Sequence, residues 1–92
     1  MGSVAEGEYE IINALGLHAR AAAQLVKAAN AHKSDISIEC EGQKVNGKSI
    51  MGVLMLAAAQ GMTVKVRCEG EDAASCLGEI AALISNGFGE GK

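Results

Sequence analysis

Polar and apolar residues alternate without a break over 35–41, where Ile36, Ile38 and Cys40 are interleaved with Ser37, Glu39 and Glu41. Successive side chains of a strand point to opposite faces, so this period of two predicts a strand with one buried and one wet side. The pattern returns over 62–69, with Met62, Val64, Val66 and Cys68 set against Thr63, Lys65, Arg67 and Glu69. A weaker version over 8–13 places Tyr9 and Ile11 opposite Glu8 and Glu10, and Ile12 interrupts its polar side. Gly42 turns the chain, so 43–46 can return as the short arm of a hairpin ended by Gly47. Elsewhere the period becomes helical. Over 19–31 the apolar stripe is Ala22, Leu25, Val26 and Ala29, with Gln24, Lys27 and Asn30 on the wet side. Ser49 is a good N-cap for an apolar helix over 50–58 that Gln60-Gly61 stops. A third helix over 72–86 buries Ala73, Cys76, Leu77, Ile80, Leu83 and Ile84, and Phe88 folds back onto the core beyond Asn86-Gly87. The order is βαββαβα, an α+β chain whose single four-stranded sheet carries helices on one face, because each strand offers one apolar side and each helix one apolar stripe.

Ninety-two residues allow one small domain, taken as 8–88, with 1–7 read as a flexible or added start and 89–92 as a mobile glycine-rich tail. Tyr9 and Phe88 are the only aromatics, so the core must be aliphatic and alanine packing. A net charge of −3 with scattered basic residues argues against nucleic-acid binding, which needs a basic face. No run approaches the roughly 18 apolar residues of a membrane span, so membrane insertion is not expected. Cys40, Cys68 and Cys76 fall on apolar phases with no C-x-x-C pair, which favours reduced core thiols over a metal or redox site and fits a cytoplasmic protein. His32 and Lys33 end the first helix, where positive charge is favourable, so His32 reads as a dipole partner rather than a ligand.

The chemistry concentrates at Gly16-Leu17-His18-Ala19-Arg20, where a glycine-loosened loop runs into the first helix. A histidine there stands beside backbone N–H groups that lack intrahelical partners, at the positive end of the helix dipole. That end is an anion site, and Arg20 can add a guanidinium suited to phosphate oxygens. The same potential disfavours the imidazolium and leaves a ring nitrogen free as a nucleophile, which points to phosphoryl chemistry. A histidine at such a place also reads as a cap or surface residue.

A second segment, Lys48-Ser49-Ile50-Met51-Gly52-Val53-Leu54-Met55-Leu56, follows some thirty residues later. In this order and separation, the G-L-H-A-R and K-S-I-M-G segments resemble the HPr family of bacterial phosphotransferase-system phosphocarriers, over nearly the whole chain. The resemblance implies an open-faced two-layer β-sandwich, with a mainly antiparallel sheet covered on one face by three helices. It implies a carrier rather than an autonomous enzyme, without metal or cofactor. His18 would accept a phosphoryl group on Nδ1 from Enzyme I, itself charged from phosphoenolpyruvate, and pass it to an EIIA-type protein, with Arg20 balancing charge. Ser49 would be a regulatory site for HPr kinase/phosphorylase. Ile50, Met51 and Leu54 would form an apolar docking patch rimmed by Lys27 and Lys48, on a protein expected to be monomeric. Ala21 stands where most sugar-pathway members have proline. The segment 13–22 and the Ile84-Ser85-Asn86-Gly87-Phe88 ending resemble NPr-type relatives of the nitrogen-related regulatory branch, so the branch served stays open.

Gly42 to Ser49 also satisfies the phosphate-loop pattern G-x-x-x-x-G-K-[ST]. Lys44-Val45 continue a strand-like alternation where such a loop would wrap, and no later apolar strand ends in a magnesium-binding aspartate. About 92 residues also leave no room for the larger parallel-sheet domain such loops serve. A nucleotide-hydrolysing reading is therefore set aside.

Overall fold

A computed structural model describes residues 2–90. Strands β1 (Ser3–Glu10), β2 (Asp35–Cys40), β3 (Gln43–Asn46) and β4 (Thr63–Gly70) form one antiparallel sheet in the order β1-β4-β2-β3. Helices α1 (Ala19–Asn30), α2 (Ile50–Met55) and α3 (Ala73–Ser85) supply the second layer, and a single 3-10 turn follows at Gly87–Gly89. Register brings the predicted apolar positions together: Ile38 lies opposite Val66 and Ile36 opposite Cys68 between β2 and β4, and Tyr9 opposite Val64 between β1 and β4. Above them pack Ala22, Leu25 and Ala29 of α1, Val53 of α2, and Cys76, Ile80 and Ile84 of α3, all essentially inaccessible. Phe88 is buried as expected, and the three thiols are free and buried.

Three expected boundaries need correction. The first strand begins at Ser3, so residues 3–7 belong to the sheet, paired from Ser3 opposite Gly70 to Glu10 opposite Thr63. Alternation fails to announce this because Val4 faces out, half exposed, while inward Gly7 has no side chain and is covered by the Tyr9 ring. At the other end, Gly89 and Glu90 are held in place: Gly89 N–H donates to Asn86 O at 3.1 Å and Glu90 N–H to Gly87 O at 3.0 Å. Residues 1, 91 and 92 of the expected flexible ends lie outside the described residues. Helix α2 stops at Met55 rather than running to 58, its last turn tightening through Leu56 N–H to Val53 O and Ala57 N–H to Leu54 O. Ala57 then takes a left-handed φ of 51°, and the Ala58 carbonyl turns to accept the N–H of Leu17 at 2.9 Å. The helix thus gives up a turn to anchor the loop before α1.

The phosphate-loop pattern is not a loop. Gln43 to Asn46 pair with Cys40 to Ser37 of β2, Asn46 Oδ1 accepts the Lys48 N–H at 2.8 Å, and the Lys48 ammonium donates to the His32 carbonyl at 2.9 Å. The segment is an edge strand and a helix start rather than a phosphate cradle, and its lysine is committed to the carbonyl of His32.

The far end of the molecule is closed by Asp72, the N-cap residue of α3, whose carboxylate does not cap its own helix. Instead it accepts from Ser34 N–H and Lys33 N–H, both at 3.0 Å, from Ser34 Oγ–H, and from His32 Nδ1 at 3.3 Å. His32 Nε2 meets Glu79 Oε1 at 2.7 Å. Both ring nitrogens face acceptor-only oxygens, so the imidazolium is the form that fits. The Glu79 hydrogen bond, reinforced by Asp72, accordingly raises His32 above its ordinary value of 6.5. The Ser34 hydroxyl, with the Lys33 and Ser34 N–H groups and His32, holds Asp72 far below the ordinary 3.8. A raised histidine adds stability that is complete below 6.5 and lost as pH rises through its folded value; a depressed aspartate adds stability that is present above 3.8 and lost in acid. The clip is therefore strongest between 3.8 and 6.5. Thermal unfolding of wild type against His32→Gln is expected to show a deficit below pH 6.5 that fades in the alkaline range. A deficit constant across pH would show that the imidazolium contributes nothing.

Candidate functional site

The loop before α1 is fixed from both sides. Ile11 N–H donates to Met62 O and Gly61 N–H to Ile11 O, each at 2.8 Å, and Gly16 N–H closes a turn on Asn13 O at 3.1 Å. Gly16 adopts φ +65° against the 58–59 backbone, where a Cβ would collide with the Ala58 carbonyl oxygen and stand 3.0 Å from Ala59 Cα. Glycine is therefore required by space as well as by conformation. Two residues on, His18 is the N-cap of α1 with extended φ and ψ of −75° and −179°, its carbonyl accepting the first helical bond from Ala22 N–H at 2.8 Å.

The His18 side chain is 27% exposed. Its Nδ1 accepts the N–H of Arg20 across a long 3.4 Å, so this nitrogen looks into the helix mouth, where a weak bond is easily exchanged for another group. The opposite ring nitrogen, Nε2, contacts the Glu90 carboxylate. Arg20 is exposed, and its guanidinium has no hydrogen-bond or salt-bridge partner among the described residues. These side chains line an open depression of about 800 Å³ between Ala14–Leu15, the start of α1 and Gly89–Glu90. The depression already holds one anion. The Asn13 amide, then His18 and the charge of Arg20, keep the Glu90 carboxyl below its usual range.

The structure thus brings His18 and Arg20 together, while the remaining expected residues scatter. Ser49 caps α2, its Oγ accepting Gly52 N–H at 3.1 Å. Ile50 and Met51 are exposed, but Leu54 turns partly inward onto the core. Met55, one turn beyond Met51, is exposed in its stead. Lys48 has its ammonium on the end of α1, and Lys27 lines a groove between α1 and α3 with Glu79 and Leu83. Sequence reading missed Leu15, 70% exposed on the rim of the His18 depression, although an apolar residue in a glycine loop is itself a signal. It also missed Asn13 and Glu90, which meet across 77 positions and have no local signature.

A family model described as the PTS HPr component phosphorylation site matches residues 5–86. The chain belongs to the HPr family. A phosphocarrier protein HPr of Xylella fastidiosa is 44% identical over 85 residues, covering 92% of this chain and 96% of the relative. Another HPr, from Cupriavidus necator, is 48% identical over 82 residues, covering 89% and 92%. A crystal structure of HPr from Thermoanaerobacter tengcongensis superposes with a TM-score of 0.92 at 42% identity, over 96% of this chain and 99% of that one. HPr proteins are phosphocarriers of the phosphotransferase system, and the sheet and helix order found here is that of the HPr fold. Among the described residues no helix is long and apolar enough to cross a membrane.

Proposed function

We propose that His18 carries the phosphoryl group, accepting it on Nδ1 from Enzyme I and passing it to an EIIA-type protein. The observation that carries this reading is the juxtaposition of Nδ1 with the N-terminus of α1 and an uncommitted Arg20 guanidinium in an open depression. Phosphoryl transfer has a loose transition state, so the protein needs only to position the ring and balance charge on the phosphoryl oxygens. Helix N–H groups and the guanidinium supply that balance. Two large partners must each approach the ring in line, which an open site permits and a deep pocket would prevent. A carrier of this kind needs no cofactor, and three buried free thiols suit a cytoplasmic protein. The test is incubation with phosphoenolpyruvate and a competent Enzyme I, followed by mapping of an acid-labile, base-stable phosphate. Label confined to Nδ1 of His18 is the expected result; absence of label, or label elsewhere, overturns the reading.

Ser49 is the regulatory position of the same reading, a substrate for HPr kinase/phosphorylase. A phosphate there keeps a favourable place at its own helix end while adding roughly −1.5 to −2 charge beside the exposed Ile50 and Met51. Ser49→Asp is expected to accept phosphate from Enzyme I about tenfold more slowly, because a like charge at a docking face opposes association. Ser49→Ala, which loses the cap bond and about 1 kcal/mol of stability, should transfer at the wild-type rate. Equal rates for the aspartate variant and wild type would refute the switch. Ala21, fully buried in the first turn of α1, serves the helix start without proline, and the helix geometry therefore leaves both the sugar and nitrogen-related branches available.

A further inference from the structure

The two nitrogens of a neutral imidazole differ: one carries the proton and the other the lone pair, and their neighbours decide which. Around His18 the neighbours are unlike. Nδ1 faces a backbone N–H, which can only donate, and Nε2 faces the Glu90 carboxylate, which when ionised can only accept. Both contacts are satisfied together only when the proton is on Nε2 and the lone pair on Nδ1. We infer that Glu90 is a positioning residue for His18, holding the ring with its Nδ1 lone pair toward the helix mouth and facing the charge that the ring gains in transfer. This rests on the proposed role of His18 as the phosphoryl acceptor.

Glu90 is itself placed by a built arrangement rather than by chance at a chain end. Asn13, completely buried, donates its amide to Glu90 Oε1 at 3.0 Å and to the Gly16 carbonyl at 2.8 Å. The Asn13 carbonyl oxygen has no partner, yet turning the amide over would set that oxygen against two acceptors, so the donor orientation is fixed by what it faces. From the other side, Gln24 of α1 donates to the carbonyl of buried Phe88 at 3.2 Å, and the turn at Gly87–Gly89 directs Glu90 back to the ring. One amide therefore ties the carboxylate to the loop that presents the histidine.

The step balances without a proton leaving the ring. As the Nδ1 lone pair forms the N–P bond, the donor's bond to phosphorus breaks and the donor keeps that electron pair. The ring retains its Nε2 proton and becomes cationic, opposite the Glu90 carboxylate. When the phosphoryl group departs to the acceptor, the N–P electron pair returns to Nδ1 and the ring is neutral again. Nε2 and Nδ1 lie on different edges of the ring, so the carboxylate does not occupy the place of the incoming group.

Two readouts on the 92-residue chain test this. By nuclear magnetic resonance of the unphosphorylated protein, with the ring neutral, wild type is expected to show a downfield, slowly exchanging Nε2–H. Glu90→Ala should lose that signal to solvent exchange, while Glu90→Gln, which keeps an acceptor oxygen without the charge, should retain it further upfield. In transfer from phosphorylated Enzyme I, both variants should lose about tenfold or more in kcat with KM unchanged, the scale on which residues orienting a functional histidine act. An Nε2–H signal unchanged in Glu90→Ala, or transfer at the wild-type rate in both variants, overturns the inference. The resonance test needs no phosphorylation, so failure of His18 to accept phosphate in wild type is a separate result that strikes the proposed function alone.

Discussion

Replacing Gly16 with alanine is expected to destabilise the protein by about 2–5 kcal/mol and to slow phosphoryl transfer about 100-fold. Two penalties combine. A left-handed backbone costs an L-residue roughly 1–2 kcal/mol, and forcing a methyl group into a filled space costs roughly 1–3 kcal/mol more. The obstructing atoms at Gly16 are the carbonyl of Ala58 and the Cα of Ala59, which are backbone and cannot rotate aside. If the loop yields instead, it does so by breaking the 2.9 Å bond from Leu17 N–H to Ala58 O, and His18 is the next residue. A shift of about 1 Å in a reacting group is enough to cost two orders of magnitude in rate. At roughly 4–8 °C per kcal/mol for a domain of this size, the unfolding midpoint should fall by about 10 °C or more. Gly42→Ala is the control, since Gly42 shares a positive φ of 82° but has no atom within 4 Å of a Cβ. It should lose only the conformational part, about 1–2 kcal/mol, and transfer normally. Wild-type stability and rate in Gly16→Ala would show that the loop's fit against 58–59 does not hold the histidine.

What the sequence reveals about this chain is what local periodicity can encode. Strands β2 and β4 are readable because Ile36, Ile38, Val64, Val66 and Cys68 alternate with polar neighbours on a sheet with one wet face. Helix α1 is readable because Ala22, Leu25, Val26 and Ala29 recur at helical spacing opposite Lys27. The candidate site at His18 and Arg20 stands out in the sequence because a loop-to-helix junction has a fixed electrostatic meaning before any tertiary contact forms. The start of β1 is hidden because its pairing comes from the β4 backbone, while its side-chain pattern is blurred by outward Val4 and inward Gly7. The end of α2 is hidden because the reason it stops is the Leu17 N–H, far away in sequence. Glu90 is the extreme case: its neighbours Gly89 and Gly91 suggest a loose tail, yet its N–H is bonded to the Gly87 carbonyl and its carboxylate meets Asn13 and His18, which the whole fold brings round.

Met51→Asp is expected to raise the KM for phosphorylated Enzyme I about 30-fold while leaving the protein as stable as wild type. Helix α2 turns Val53 inward, completely buried, and leaves Met51 69%, Met55 64% and Ile50 45% exposed. Exposed apolar side chains on one short helix are a poor use of a folded surface unless a partner covers them, and methionine adapts to more than one partner. A charge buried at the centre of such a contact loses water without gaining a partner, and about 2 kcal/mol is typical for a central position. Folding should not suffer, because Met51 is the second residue of α2, where a carboxylate meets the positive end of the helix. The unfolding midpoint should stay level or rise slightly, and the rate at saturating partner should change little, since Nδ1 and Arg20 are untouched. Added negative charge on a chain already at −3 could by itself slow association with an acidic partner. Val4→Asp separates the two effects: it adds the same charge on a half-exposed side chain at the end of β1 remote from the His18 loop. A large rise in KM for Met51→Asp alone assigns the loss to α2 as the docking face. An equal rise in both variants would mean that the partner senses the net charge of the chain, and the exposed methionines would have no special part in recognition.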